Sequence, residues 1–148
     1  MPTTWAMAPT TRTAFIAGIA AAATSLKAAS AAFAAAPREG DAEGAHRALI
    51  SAILPFDDPT FGSHVSVERV TARVDGLFSP LADPSYRAAV LALEDGASVA
   101  ESLEAWFYGD DVARRRFAVA AKAMAMIAVY SDDAIWTAIG YTGPVLRR

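Results

Sequence analysis

The feature that most constrains the fold is a run of almost uninterrupted apolar residues from Phe117 to Tyr130. Lys122 is its only charged residue, and the run contains no Gly or Pro. It therefore predicts a helix that is apolar on nearly every side, with Lys122 extending its ammonium group to solvent. Such a helix usually lies at the centre of a bundle or is covered by a partner. The chain has 148 residues, enough for one domain, so we expect one helical domain built around this segment.

Capping signals divide the preceding residues into further helices. Ser66 is a good N-cap, Asp83-Pro84 is an N-cap followed by Pro at the first helical position, and Ser98 with Glu101 fits a capping box. Predicted helices run from about 42 to 54, from 67 to about 78, from 84 to about 95, from 99 to 108, from about 112 to 130, and from 132 to 139. The segment 56–63 reads as a loop. We predict an all-α fold, a compact irregular bundle of five or six helices after an N-terminal signal segment.

The first 36 residues differ from the rest in composition, since fifteen are Ala and the only charges are Arg12 and Lys27. The apolar stretch 13–26 is shorter than the ~20 residues of a membrane-spanning helix and has the length typical of a signal peptide. Ala32 and Ala34 flank Phe33 in an A-x-A cleavage pattern. We therefore predict that residues 1–34, called the leader below, are an export signal and that residues 35–148 form the domain.

The leader resembles a twin-arginine export motif in degenerate form. Arg12, Phe15 and Ile16 fit the motif, and Thr13 replaces its second arginine. Two other interpretations of the leader remain open: an Ala-rich helix packed on the domain, or an uncleaved anchor.

Composition excludes several kinds of chemistry. The chain has no Cys, which excludes disulfides, thiolate metal sites, covalently attached haem and a Cys nucleophile. The net charge of −3 argues against nucleic-acid binding. No glycine-rich nucleotide loop or nucleophile elbow occurs, and the acidic pairs at 57–58, 110–111 and 132–133 are best explained as helix caps. We expect a surface position for His64, and no catalytic residue, metal or cofactor in this chain.

The aromatic residues suggest an interface with a partner. Trp106, Phe107 and Tyr108 are consecutive, so in a helix they point about 100° apart and cannot all face one core. Trp and Tyr are frequent anchors of protein interfaces. Together with Trp136 and Tyr141 they form the predicted partner interface.

Several segments resemble the small, non-catalytic subunits of bacterial flavin-dependent sugar and polyol dehydrogenases of the glucose, sorbitol, fructose and gluconate 2-dehydrogenase types. Residues 103–109, LEAWFYG, resemble an E-A-W-Y-x-G segment of that family. Residues 122–124, KAM, and 139–144, IGYTGP, resemble its later elements, and residues 53–59, ILPFDDP, are similar to a region of the gluconate type. The resemblance is strongest over residues 101–144 and weak between 60 and 98.

The resemblance implies a chain without catalytic residues that assembles with a large GMC-type flavoprotein subunit and helps to export it. FAD would belong to that partner, and a multihaem cytochrome c subunit would carry electrons onward. The complex would be periplasmic and associated with the inner membrane. The alternative from another class is an independent exported helical domain that binds a small ligand, or a small enzyme using its carboxylates.

Overall fold

In a computed structural model, the described residues are 9–34 and 38–132, with side chains described from residue 16 onward. Over these residues the chain forms seven α-helices and no strand, which confirms the all-α prediction. Six of the helices are substantial, and one is a single turn. The helices are α1 (Pro9–Ala31), α2 (Ala42–Ile53), α3 (Pro59–Gly62), α4 (Val67–Phe78), α5 (Pro84–Ala92), α6 (Val99–Tyr108) and α7 (Val112–Tyr130).

The helix starts follow the capping residues of the sequence. The side chains of Ser66, Asp83 and Ser98 each accept a hydrogen bond from a backbone N–H in the first turn of α4, α5 and α6, as predicted. Of Asp110 and Asp111, which precede α7, Asp111 is the N-cap, since its carboxylate accepts a hydrogen bond from the backbone N–H of Arg114. These bonds satisfy backbone donors that a helix cannot pair internally.

The segment 56–63 departs from the prediction of a plain loop, because it contains the one-turn helix α3. Asp58 accepts hydrogen bonds from the backbone N–H groups of Thr60 and Phe61, and Pro59 occupies the first helical position. An Asp followed by Pro is a helix start as well as a turn signal, and here the helix follows. Gly62 ends this turn beside the carbonyl of Phe56, where a Cβ atom would clash with backbone.

Helix α7 lies at the centre of the bundle and packs against α1, α4 and α6, with a smaller contact to α2. Phe117, Ala121, Met124 and Ala128 are fully buried along its inner side. The opposite side is exposed in the described part of the chain, so α7 packs within the bundle on one side only, and cover by a partner on the other side stays a prediction. Val119 on that side is about half exposed.

The second half of α1 packs onto the domain. Leu26, Ala29 and Ser30 are buried, and Phe33, in the hydrogen-bonded turn after the helix, is partly buried against the core. The helix contacts α7 and α5. Arg12, Phe15 and Ile16 lie in its first half, and Ile16 is exposed. This packing corresponds to the Ala-rich helix that was the alternative to an export signal; the export role and the cleavage after Ala34 stay predictions.

Candidate partner interface

The predicted interface residues fall into three different environments. Trp106 is only 6% exposed and belongs to the core, Phe107 is partly buried, and Tyr108 is 77% exposed. This is the outcome that helical geometry requires of three consecutive rings. Trp136 and Tyr141 lie outside the described residues.

The ring of a leader residue covers one face of the buried Trp106. The Phe33 ring stacks on the Trp106 ring at 5.3 Å between centroids and 15° between planes. Phe117 meets both rings at an angle, at 5.6 Å from Phe33 and 5.9 Å from Trp106. The guanidinium of Arg114 lies 5.4 Å from the Trp106 ring centroid, in a cation–π position. Three helical segments therefore meet at one aromatic cluster.

One side of α7 forms an exposed stripe, called the outer face of α7 below. At 100° per residue its members lie within about 40° of one line along the helix. They are Val112, Arg116, Val119, Ala123 and Tyr130, and all are exposed, whereas Met126, on the same side between Ala123 and Tyr130, is half-buried. Tyr108, at the end of α6, adds a further exposed ring close in sequence to the start of this stripe.

The charges of α7 are all positive: Arg114, Arg115, Arg116 and Lys122. Arg114 is engaged by Asp111 at 3.6 Å and by the Trp106 ring. The Lys122 ammonium lies 5.4 Å from the centroid of the Phe107 ring, in addition to being exposed as predicted. Within residues 9–34 and 38–132, Arg115 and Arg116 form no ion pair. The outer face of α7 is therefore apolar and basic, on a chain whose net charge is −3.

Several acidic residues are engaged in caps and ion pairs, and Asp95, Asp110 and Asp111 also line a surface cavity beside Trp106. Asp58 and Asp111 cap helices, as the acidic pairs suggested. Asp132, predicted to cap a final helix, pairs with Arg69 at 2.8 Å; the residues of that helix lie outside the described part.

The shifted carboxyl groups have pKa values below their ordinary range. The pKa of Asp95 is lowered chiefly by a hydrogen bond from Arg38, 2.5 Å away. That of Glu68 is lowered by a backbone hydrogen bond and by Arg47. His64 is exposed, as predicted, and in the described part of the chain no group of three or more potential ligands could hold a metal ion.

One polar cluster was missed at the level of sequence. His46 is fully buried, and its Nδ1 lies 2.7 Å from the Tyr86 hydroxyl. Its Nε2 lies 3.3 Å from a carboxylate oxygen of Asp75, close enough for an ion pair but without hydrogen-bond geometry. The position of His46 on the apolar side of α2, between Ala45 and Leu49, is the signal that could have identified it.

Burial controls the titration of this cluster. It lowers the pKa of His46, while Asp75 and the more distant Glu43 act in the opposite direction. Burial also raises the pKa of Tyr86 far above its ordinary value, and Asp75 adds to that effect. At neutral pH both groups are therefore neutral. Because the Asp75 carboxylate faces Nε2, the neutral His46 ring carries its proton on Nε2, and the Tyr86 hydroxyl donates a hydrogen bond to Nδ1.

Two cavities open at the surface of the described residues. The first, of about 460 Å³, lies between α1 and the turn joining α4 to α5, with Leu26, Lys27 and Asp83 in its wall and Tyr86 among its lining residues. The second, of about 390 Å³, lies at the junction of α6 and α7 beside Trp106 and is edged by charged residues, among them Asp95 and Arg114.

None of the helices in the described ranges combines the length and hydropathy needed to cross a bilayer. Comparison of the chain with protein families, with curated proteins and with solved structures finds no match.

Proposed function

We propose that this chain is a non-catalytic small subunit that assembles with and stabilises the FAD-carrying catalytic subunit of a periplasmic sugar or polyol dehydrogenase, and helps to export it. The observation that carries the proposal is the outer face of α7 with Tyr108 beside it. Exposed apolar side chains that gather on one surface are a common mark of a contact with another protein. The sequence resemblance supplies the kind of partner.

The composition of this surface suits an interface with an acidic and apolar partner. Tyr and Arg are enriched at the centres of protein interfaces. Arg115 and Arg116 have no ion-pair partner within the described residues, so carboxylates of a second protein can pair with them without displacing an existing contact. The side chain of Tyr108, 77% exposed, can be buried in the complex with little change to the isolated fold.

The chemistry of the complex belongs to the partner. This chain has no glycine-rich flavin loop in its sequence, so the FAD and the oxidation of the sugar are assigned to a large GMC-type subunit. A multihaem cytochrome c subunit would pass electrons onward, and the complex would reach the inner membrane through its other subunits. These assignments follow the resemblance of residues 101–144.

The test is purification of the chain from its native host through a C-terminal tag, with flavin absorbance recorded across the eluted complex. We expect a larger flavin-containing protein in fixed ratio to this chain, and a colourless preparation when the chain is produced alone. The double variant R115E/R116E should lose the flavoprotein. The matched control is R47E, which reverses an exposed arginine on α2 that pairs with Glu68.

Two results would contradict the proposal. One is a stoichiometric flavin on the chain produced alone. The other is an unchanged yield of flavoprotein with R115E/R116E, since the end of α7 that bears Arg115 and Arg116 would then not be the contact.

The cavity of about 460 Å³ favours a second candidate function, an independent domain that binds a small ligand. Its volume lies within the range typical of ligand sites, roughly 300–1,000 Å³. A ligand released on denaturation of the purified chain and identified by mass spectrometry would support it. The carboxylate-based enzyme has less support: Asp95, Asp110 and Asp111 line the cavity of about 390 Å³, but Asp111 caps α7 and Asp95 pairs with Arg38.

A further inference from the structure

The cavity of about 390 Å³ lies where α6 ends and α7 begins, and it is called the α6–α7 cavity below. One wall comes from a single side of α6 and its C-terminal cap, at positions i, i+3, i+4 and i+7: Ser102, Ala105, Trp106 and Gly109. The other walls come from the segment after α5 and from the start of α7. The volume lies within the range typical of small-molecule sites, roughly 300–1,000 Å³.

The hydroxyl of Ser102 is buried in the wall of this cavity without a partner. The residue is only 8% exposed, and its hydroxyl forms no hydrogen bond within residues 9–34 and 38–132. Folded proteins pair nearly all of their buried polar groups, because an unpaired one costs free energy. Gly96 lies directly against this hydroxyl, and a Cβ atom at position 96 would clash with it. The cavity therefore presents a hydroxyl that a group from outside the chain can pair.

Carboxylates dominate the charge of the α6–α7 cavity. Asp95, Asp110 and Asp111 line it, against the single cation Arg114. Asp95 pairs with Arg38 at 2.5 Å, and Asp111 caps α7 and lies 3.6 Å from the Arg114 guanidinium. Asp110 forms neither an ion pair nor a hydrogen bond in the part of the chain that the structure describes. One free carboxylate and one free hydroxyl therefore face the same cavity.

These two groups favour a ligand that donates hydrogen bonds and carries a positive charge. An ammonium group can donate both to the carboxylate of Asp110 and to the hydroxyl oxygen of Ser102, and a bond between two charged groups is roughly twice as strong as a neutral one. A metal ion is not favoured, because no group of three or more potential ligands among the described residues could hold one. Ala105 and Trp106 supply an apolar surface in the same cavity for a hydrocarbon chain.

We propose that the α6–α7 cavity binds a small aliphatic amine in its ammonium form. Asp110 and Ser102 bind the ammonium group, and the hydrocarbon part lies against Ala105 and Trp106. The inference goes beyond the proposed function and does not depend on the flavoprotein, since every group it uses belongs to this chain.

The test is a titration of the isotope-labelled full chain with butylammonium chloride, followed by NMR at neutral pH and constant ionic strength. The backbone amides of Gly96 and Gly109 report on binding because both residues line the cavity. We expect saturable shifts of both amide signals, with a dissociation constant of about 1 mM, an affinity that a ligand of about five non-hydrogen atoms can supply. The matched probe is n-butanol, which has the same alkyl chain without the charge and should bind at least about tenfold more weakly.

Two variants test the polar groups separately. Asp110→Asn should weaken butylammonium binding at least about tenfold, and Ser102→Ala at least about threefold, as expected for a lost hydrogen bond to an ionised and to a neutral group. Both variants should fold, since neither side chain forms a hydrogen bond within the described residues, and thermal melts check this. The matched control is Asp57→Asn, which removes an exposed carboxylate outside the cavity and should leave the affinity unchanged.

Four results overturn the proposal. Absence of a saturable shift at Gly96 and Gly109 means that the cavity does not bind the amine. Equal affinity for n-butanol means that the positive charge takes no part. Unchanged affinity of Asp110→Asn or of Ser102→Ala removes the group that was to bind the ammonium. An equal loss of affinity with Asp57→Asn means that the amine responds to the general charge of the chain rather than to this site. Each of these results leaves the assembly with a flavoprotein untouched.

Discussion

Replacing Phe33 by Ala tests whether the end of the leader belongs to the folded domain. The ring is partly buried and lies in two aromatic pairs, with Trp106 and with Phe117. Full burial of a Phe side chain contributes about 1.5–3 kcal/mol, and a favourable ring pair adds about 0.5–1.5 kcal/mol. For a partly buried ring at a helix end we take the low end of both ranges, which gives a loss of about 2 kcal/mol for Phe33→Ala in the full chain.

The assay is urea unfolding followed by far-UV circular dichroism, which reports directly on an all-helical chain. A small protein loses about 1–3 kcal/mol of stability per molar urea, so a loss of about 2 kcal/mol moves the midpoint by roughly 1 M. Ile16→Ala is the matched control, because Ile16 is on the same helix but is exposed. It should change the unfolding free energy by less than about 0.5 kcal/mol.

The reasoning would be refuted if Phe33→Ala and Ile16→Ala had the same small effect. The end of α1 would then make no contribution to the stability of the domain, and Trp106 would be stable without its covering ring. An equal loss of unfolding free energy from both substitutions would also contradict the reasoning. It would mean that α1 stabilises the domain along its whole length rather than through the packing of Phe33.

Three further substitutions separate core, surface and titrating residues. Tyr108→Ala should change the unfolding free energy by less than about 0.5 kcal/mol and weaken flavoprotein binding by at least ~2 kcal/mol. Trp106→Ala should lower the unfolding free energy by about 3–5 kcal/mol. Thermal melts measure the stability and pull-down measures the binding; a larger loss of stability with Tyr108→Ala than with Trp106→Ala would contradict the placement of Trp106 in the core and Tyr108 on the surface. Because the pKa of buried His46 is lowered on folding, the unfolded chain binds the proton more readily, so stability should be constant above about pH 6.5 and fall as the pH drops below it. His46→Gln should flatten that profile in urea titrations at several pH values, while His64→Gln, an exposed control, should preserve it. Ser66→Ala should remove the cap of α4 and lower the unfolding free energy by about 1 kcal/mol, with Ser63→Ala in the same loop as the neutral control.

Helix boundaries were predictable because they depend on local chemistry. Asp83 followed by Pro84, and Ser66 three residues before Arg69, determine hydrogen bonds within one turn, and the structure shows those bonds. The central position of α7 also follows from its sequence, since a helix this apolar has to be covered on at least one side. These features require no knowledge of distant contacts.

The buried polar cluster was not predictable in the same way. His46 and Tyr86 are 40 residues apart, and Asp75 comes from a third helix. Each is unremarkable in its own helix, and their meeting depends on how α2, α4 and α5 pack. Such a contact depends on tertiary packing. A single sequence therefore shows at most that a histidine lies on the apolar side of a helix.

The leader shows a different limit, because the same residues suit two roles. An export signal requires a basic start, an apolar run and small residues at the cleavage site, and places little demand on side-chain shape within the run. A packed helix requires complementary shape at defined positions. Ala29 and Ser30 fit a close helix contact, and three residues after Ser30 the Phe33 ring contacts both Trp106 and Phe117.

The two roles of the leader are compatible if they occur in sequence. A segment can cover an apolar surface in the precursor and leave it later, provided that it binds reversibly. The described contacts of α1 with the domain are apolar packing and ring stacking, and its buried hydroxyl, that of Ser30, donates to a carbonyl inside the helix itself. The described contacts of α1 could therefore be released without a buried polar group losing its partner.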